Sequence, residues 1–194
     1  MNKLVFYTGL VIFIFSMFLA FSGVSNWMFL MPIGGWLISD YLAASRDKTT
    51  TLKLFMKDKE KFFYLSVLLF FYASSAELVG RYILGWWVYP TISSKYHEFL
   101  ILLIVYPFGS AFVREIFQYV NSYIKSYGLS ILIVALIHII VWEVPNLFSY
   151  DWKYTVPYLA NLTVLNHINI LIILAWPLLI IFPLMIYKIV LRMG

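Results

Sequence analysis

The chain has no cysteine and only nine acidic residues in 194. Without cysteine there are no disulfides, no thiolate metal sites and no cysteine nucleophile. Charged residues make up 12% of the chain, about half the share found in soluble domains. The three histidines fall at His97, His138 and His167, in neither an H-E-x-x-H nor an H-x-x-x-H spacing, and no metal or other cofactor is expected. A Walker loop, a G-x-S-x-G elbow and a dinucleotide fingerprint are all missing. Glu77 and Arg81 match part of the E-E-x-x-x-R pattern of membrane-embedded CAAX-type proteases. Ala76 occupies the first acidic position and no F-x-x-x-H follows, so that activity is excluded.

What is present is apolar. Hydrophobic residues make up 63% of the chain and aromatics 20%, with a mean hydropathy of +0.88. The expected fold is all-α: a single polytopic membrane domain over residues 1–194. A helix needs about 20 apolar residues to cross the hydrocarbon core. Six stretches qualify, near 3–22, 26–44, 61–84, 97–120, 127–147 and 167–191. The second carries Pro32, Gly34, Gly35 and Asp40, and is expected to be kinked or short. Residues 3–22 could instead be a signal peptide, with Lys3 as the basic start and Ala20-Phe21-Ser22 near the cleavage site, but their length and the immediate next stretch favour a retained hairpin over 3–44.

The net charge of +5 has a topological explanation and does not point to nucleic acid. Placing the loop from Ala44 to Lys61 inside collects eleven of the fourteen basic residues on that side. Arg81, Lys95 and Lys153 remain outside. Basic residues favour the cytoplasmic face, so both termini are expected in the cytoplasm and the protein in the plasma membrane. The stretch from Leu52 to Phe55 could lie on anionic headgroups.

Five acids, Asp40, Glu77, Glu98, Glu115 and Glu143, fall inside these apolar stretches. A carboxylate there costs on the order of 3 kcal/mol, so it usually faces protein, a partner charge or water. Arg81 lies four residues after Glu77, a spacing that suits an ion pair on one helical face. Arg114 is expected to snorkel to the inner headgroups, with Glu115 as an interfacial partner. Glu143 has no obvious partner in its own helix, which makes it the leading functional candidate.

Two parts of the chain look alike. The first runs from Glu77 through Trp87-Val88-Tyr89 to His97 and Pro107. The second runs from Glu143 through Trp152-Lys153-Tyr154 to His167 and Pro177. Both His-to-Pro separations are ten residues. This predicts a repeated helix pair, with units over about 61–120 and 127–191. The polar residues concentrate in the outer half, which predicts an outward-opening site. Its acid candidates are Glu77, Glu98 and Glu143. Its binding candidates are Arg81, Trp87, Tyr89, His97, His138, Trp142, Asn146, Trp152, Asn166 and His167. Burial favours the neutral carboxyl, so Glu98 or Glu143 could act as a general acid. Aromatic faces could stabilise a cation formed from an alkene lipid.

Glu77, Gly85, Trp87 and Tyr89, followed by His97-Glu98, Phe99, Pro107 and Glu115, resemble the lycopene cyclase domain, the repeated unit of membrane carotenoid cyclases. His97 stands where that family has the first of two acids, and the proline before the pair is missing. Trp152, Tyr154, Pro157, Asn166, His167 and Pro177 resemble a family of small multi-spanning membrane proteins of spore-forming bacteria. Together these resemblances cover about half the chain. They imply a repeat fold and, for the first, acid–base chemistry on a polyisoprenoid. The sequence itself leaves three readings. In the leading one the protein is non-catalytic: a binder of membrane lipid, an isoprenoid or other hydrophobic ligand, or a small ligand, a sensor, or a subunit of a larger assembly, as a homo-oligomer or with a membrane protein partner. The others are a cyclase-like enzyme and a small proton-coupled transporter using Glu77, His138 and Glu143.

Overall fold

A computed structural model describes residues 3–92, 94–156, 163–164 and 168–192. It is an all-α bundle. The helices are α1 (Lys3–Phe21), α2 (Met31–Ala44), α3 (Thr51–Lys57), α4 (Lys59–Glu77), α5 (Lys95–Leu100), α6 (Tyr106–Ile124), α7 (Tyr127–Ser149) and α8 (Ile170–Arg192). Two-residue strands β1 (Trp87–Val88) and β2 (Lys153–Tyr154) pair antiparallel, as do β3 (Thr163–Val164) and β4 (Ile168–Asn169). Five helical segments among the described residues are long and apolar enough to cross a membrane: Lys3–Phe21, Lys59–Ile83, Lys95–Ile124, Tyr127–Ser149 and Ile172–Arg192.

The expected count of six is thus corrected to five. The stretch 26–44 opens with a tight turn, Trp27–Phe29, and only then forms the 14-residue α2. Fourteen residues rise about 21 Å, short of a hydrocarbon core of about 30 Å. The chain still returns along α1, and glycine brings the two helices into contact. A Cβ on Gly34 would lie 2.6 Å from the backbone nitrogen of Phe13, and one on Gly9 would lie 2.8 Å from the Cβ of Leu37. Small residues at such crossings let membrane helices approach closely.

Side-chain caps start three of the helices. Thr50 accepts from the backbone N–H of Lys53, Asp58 from that of Lys61, and Ser94 from that of His97. Two long segments change winding. Leu78–Ile83 extends α4 as a π-helix, and Ile101–Val105 joins α5 to α6 in the same way. The wider i to i+5 turn shifts the faces that an ideal α-helix would present.

The bundle has two chemically different ends. At the basic end the loop before α3 is tied into the interior. Glu115 accepts from the backbone N–H and the hydroxyl of Thr51, at 2.7 and 2.6 Å. Arg114 pairs with Glu115 and donates to the carbonyl of Thr49 at 2.7 Å. Asp40 accepts from the backbone N–H of Leu52 at 3.0 Å. Arg114 is 3% exposed and Glu115 is buried outright, so this is no snorkelling surface pair. Unpaired backbone and hydroxyl groups of the loop require it inside. Leu54 is likewise buried against Leu65 and Tyr187, while Phe55 and Met56 are turned outward.

The other end is rich in tryptophan. Trp27, Met28, Met31, Ile92, Ile101, Phe112 and Trp142 pack there around Ala20. Asp151 fastens the loops, accepting from the backbone N–H of Asn26 at 3.2 Å and from the hydroxyl of Thr91 at 2.9 Å. The β1–β2 ladder closes this end, setting Trp87 opposite Tyr154 and Val88 opposite Lys153. Gly85 precedes it with φ of 63°, a left-handed conformation that glycine adopts without strain. Its carbonyl accepts from the hydroxyl of Thr155 at 2.6 Å, which fixes one turn to the other.

Candidate functional site

Beneath the paired turns lies a cavity of about 200 Å³ between α4, α6, α7 and α8. Its wall is mostly aromatic and aliphatic, and it reaches the lipid-facing surface at Leu179, which is 38% exposed. Two carboxyl groups are held at its tryptophan end, each by donors from the same two places.

Glu77 is the last residue of α4. Its Oε1 accepts from the hydroxyls of Tyr89 at 2.7 Å and Tyr106 at 2.8 Å, and its Oε2 accepts from the indole N–H of Trp87 at 3.4 Å. Glu143 lies within α7. Its Oε1 accepts from the hydroxyl of Tyr154 at 2.7 Å and from the indole N–H of Trp176 at 3.2 Å. The indole of Trp152 donates to the Tyr154 hydroxyl at 3.1 Å, which extends the chain of donors. Thus each glutamate takes one bond from the tyrosine of a W-x-Y turn. It takes another from the aromatic residue that precedes a proline, Tyr106 before Pro107 or Trp176 before Pro177.

The two turn tyrosines remain donors. Burial raises the Tyr89 and Tyr154 hydroxyls well above their ordinary range, and the adjacent Glu77 and Glu143 add to the effect. The carboxyls differ in one respect. Both Glu77 oxygens have partners, whereas Oε2 of Glu143 is buried with none among the described residues. His138 shows the same feature. Its Nδ1 meets the Val134 carbonyl at 2.8 Å, and its Nε2 is buried without a partner among the described residues. Its ring lies 4.5 Å from that of Phe112, and both His138 and Glu143 line the cavity.

The expected site residues separate into groups. Trp87, Tyr89, His138, Trp142, Glu143 and Trp152 line the cavity, and Glu77 stands behind its wall, bonded to Trp87, Tyr89 and Tyr106. Glu98 does not line it. Its Oε1 accepts from Arg81 at 2.8 Å and its Oε2 from the hydroxyl of Tyr82 at 3.0 Å, at a partly exposed position. Arg81 therefore pairs with Glu98, while the Glu77 oxygens are taken by Tyr89, Tyr106 and Trp87. It also sits over the Tyr89 ring, 5.1 Å from the centroid. His97 stays at the start of α5, its Nδ1 3.1 Å from the Ser94 hydroxyl. Asn146 braces the second turn, donating to the Trp152 carbonyl at 2.9 Å and accepting from its N–H at 3.1 Å. Asn166 and His167 lie outside the described residues. Among the described residues, no three His, Asp or Glu side chains gather as a metal site would need.

Tyr72, Tyr106, Tyr154 and Trp176 complete the wall and were not among the expected site residues. The matched prolines Pro107 and Pro177 were the available signal, since Tyr106 and Trp176 stand immediately before them.

The fold and its apolar helices define a class, a helical multi-pass membrane protein. No family model, curated protein or solved structure matches the chain.

Proposed function

We propose that this protein binds a hydrophobic, lipid-like ligand in the cavity under the paired W-x-Y turns. One observation carries the reading: an aromatic-walled space of about 200 Å³ that opens at the half-exposed Leu179 and is lined by the buried carboxyl of Glu143. An apolar cavity of about 150 Å³ is large enough to hold benzene. The space here takes the end of a long apolar molecule, with the remainder lying among the lipids beside α8. The corresponding contacts of Glu77 and Glu143 support two related helix-pair units meeting at this cavity. The split of basic residues supports cytoplasmic termini in a plasma-membrane protein, with the cavity in the outer half.

The test is a mass-spectrometric survey of compounds that copurify with the protein from its native membrane. An apolar compound should accompany the native protein and be lost from Ala76→Trp, which fills the cavity from α4. Equal recovery from both proteins overturns the assignment.

A second reading, cyclase-like acid–base chemistry on an isoprenoid, is favoured by the free Oε2 of Glu143 among aromatic faces. It requires that Glu143→Gln abolish conversion of the bound compound while Glu98→Gln retains it, because Glu98 lies off the cavity.

A further inference from the structure

Two buried side-chain atoms of the cavity-lining residues have no partner among the described residues, Nε2 of His138 and Oε2 of Glu143. Both residues are 1% exposed. An unpaired polar atom at such depth carries a desolvation cost that a ligand group can relieve. The kind of group follows from the chemistry of each atom. The Val134 carbonyl can only accept, so Nδ1 of His138 carries the proton of their bond. In the neutral ring, Nε2 is then left as an acceptor. Oε1 of Glu143 is occupied by Tyr154 and Trp176, and these aromatic donors orient the carboxyl so that Oε2 stays free. The hydroxyls of Tyr89, Tyr106 and Tyr154 are already directed at the glutamates. The unpartnered Nε2 of His138 is an acceptor, and it asks for a donor.

We propose that the ligand is a lipid alcohol, a long-chain molecule whose terminal hydroxyl donates to His138 Nε2. This rests on the ligand-binding reading above and narrows it. A hydroxyl is satisfied by one acceptor and can itself accept a bond. A primary ammonium brings three donors and needs three acceptors, more than the two unpartnered atoms supply. An ether, ester or ketone offers no donor and leaves Nε2 of His138 unpaired. The length of the apolar tail is set by the bilayer and not by the cavity, which encloses only the hydroxyl end.

The experiment uses the full chain in nanodiscs and three probes that differ at one end: all-trans-retinol, its methyl ether and retinylamine. Energy transfer from the cavity tryptophans reports binding. Retinol should bind at least about tenfold more tightly than the ether. In His138→Phe, retinol affinity should fall to that of the ether while the ether is unchanged, and His138→Gln should restore part of the preference. Equal affinity of retinol and ether for the native protein overturns the alcohol assignment and leaves the ligand-binding reading standing. Tighter binding of the amine overturns it too. No binding of any probe, including the ether, overturns the ligand-binding reading itself. If His138→Phe does not fold, the alcohol-to-ether ratio of the native protein decides alone.

Discussion

Trp87 stands opposite Tyr154 in the two-residue ladder that joins the W-x-Y turns. Each turn closes over its own glutamate, and the ladder couples the two closures. Trp87 donates to Glu77 and Tyr154 donates to Glu143, so a shift of either turn disturbs both carboxyls. This arrangement explains why the acids tolerate burial. Each replaces water with aromatic O–H and N–H donors that are themselves apolar over most of their surface.

Gly80 is the contact that seats the first turn. A Cβ at this position would lie 1.8 Å from the Trp87 indole, so Gly80→Ala must displace that ring. We expect a loss of about 1–3 kcal/mol in stability, the usual cost of overpacking. Near-ultraviolet circular dichroism should change as Trp87 leaves its site, and retinol binding should weaken. Gly128 has open space around it, so Gly128→Ala serves as a control with neither effect.

The basic end makes a separate prediction. Arg114 and Glu115 form a buried pair that holds Thr49 and Thr51. Removing one member leaves an uncompensated buried charge, which costs about 3–5 kcal/mol. Arg114→Leu and Glu115→Leu should each destabilise by that order in SDS-titration unfolding. The double variant should lose less than the sum, because neither charge is then left alone.

The sequence shows the class of fold directly, since hydropathy reports burial in lipid and needs no knowledge of contacts. It also showed Glu77, Trp87, Tyr89, His138, Trp142, Glu143 and Trp152 as candidates, because ionisable and amphipathic residues are conspicuous in apolar runs. It misled where the partners lie on other elements. The i,i+4 spacing paired Glu77 with Arg81, but Tyr89, Tyr106 and Trp87 reach Glu77 from other elements and Arg81 meets Glu98 from α5. Tyr106 and Trp176 escaped notice for the same reason. Their roles depend on reaching a glutamate on a different helix, and no local pattern encodes that distance.

Asp151 provides a pH test outside the spanning helices. It is fully buried, and burial raises its carboxyl above the ordinary value despite the opposing bonds from Thr91 and the Asn26 backbone. The folded state therefore holds the Asp151 proton more tightly than the unfolded chain does. Its contribution to stability is greatest below the unfolded-state value of 3.8 and is lost as pH rises through the folded-state value. Thermal midpoints recorded from pH 7 down to pH 4 should rise more, or fall less, for the native protein than for Asp151→Asn. Parallel curves would show that the carboxyl is not perturbed in this way.

Topology can be tested directly because the chain has no cysteine of its own. Contacts place three segments at one end of the bundle: the start of α1, where Phe6 meets the Tyr41 ring at 5.2 Å; the loop before α3, where Arg46 sits 3.9 Å from the Tyr123 ring; and the end of α8, where Arg114 sits 4.8 Å from the Tyr187 ring. Asn26, Thr91 and Asp151 meet at the other end. The α1–α2 hairpin therefore runs to the far end of the bundle and back. Single cysteines at the exposed positions Lys57 and Lys153 report the two ends. A membrane-impermeant maleimide applied to intact cells should label Lys153→Cys and leave Lys57→Cys untouched until the membrane is opened. The reverse pattern would place the cavity in the inner half, and labelling of both from outside would mean an even number of crossings between them in place of the three made by Lys59–Ile83, Lys95–Ile124 and Tyr127–Ser149.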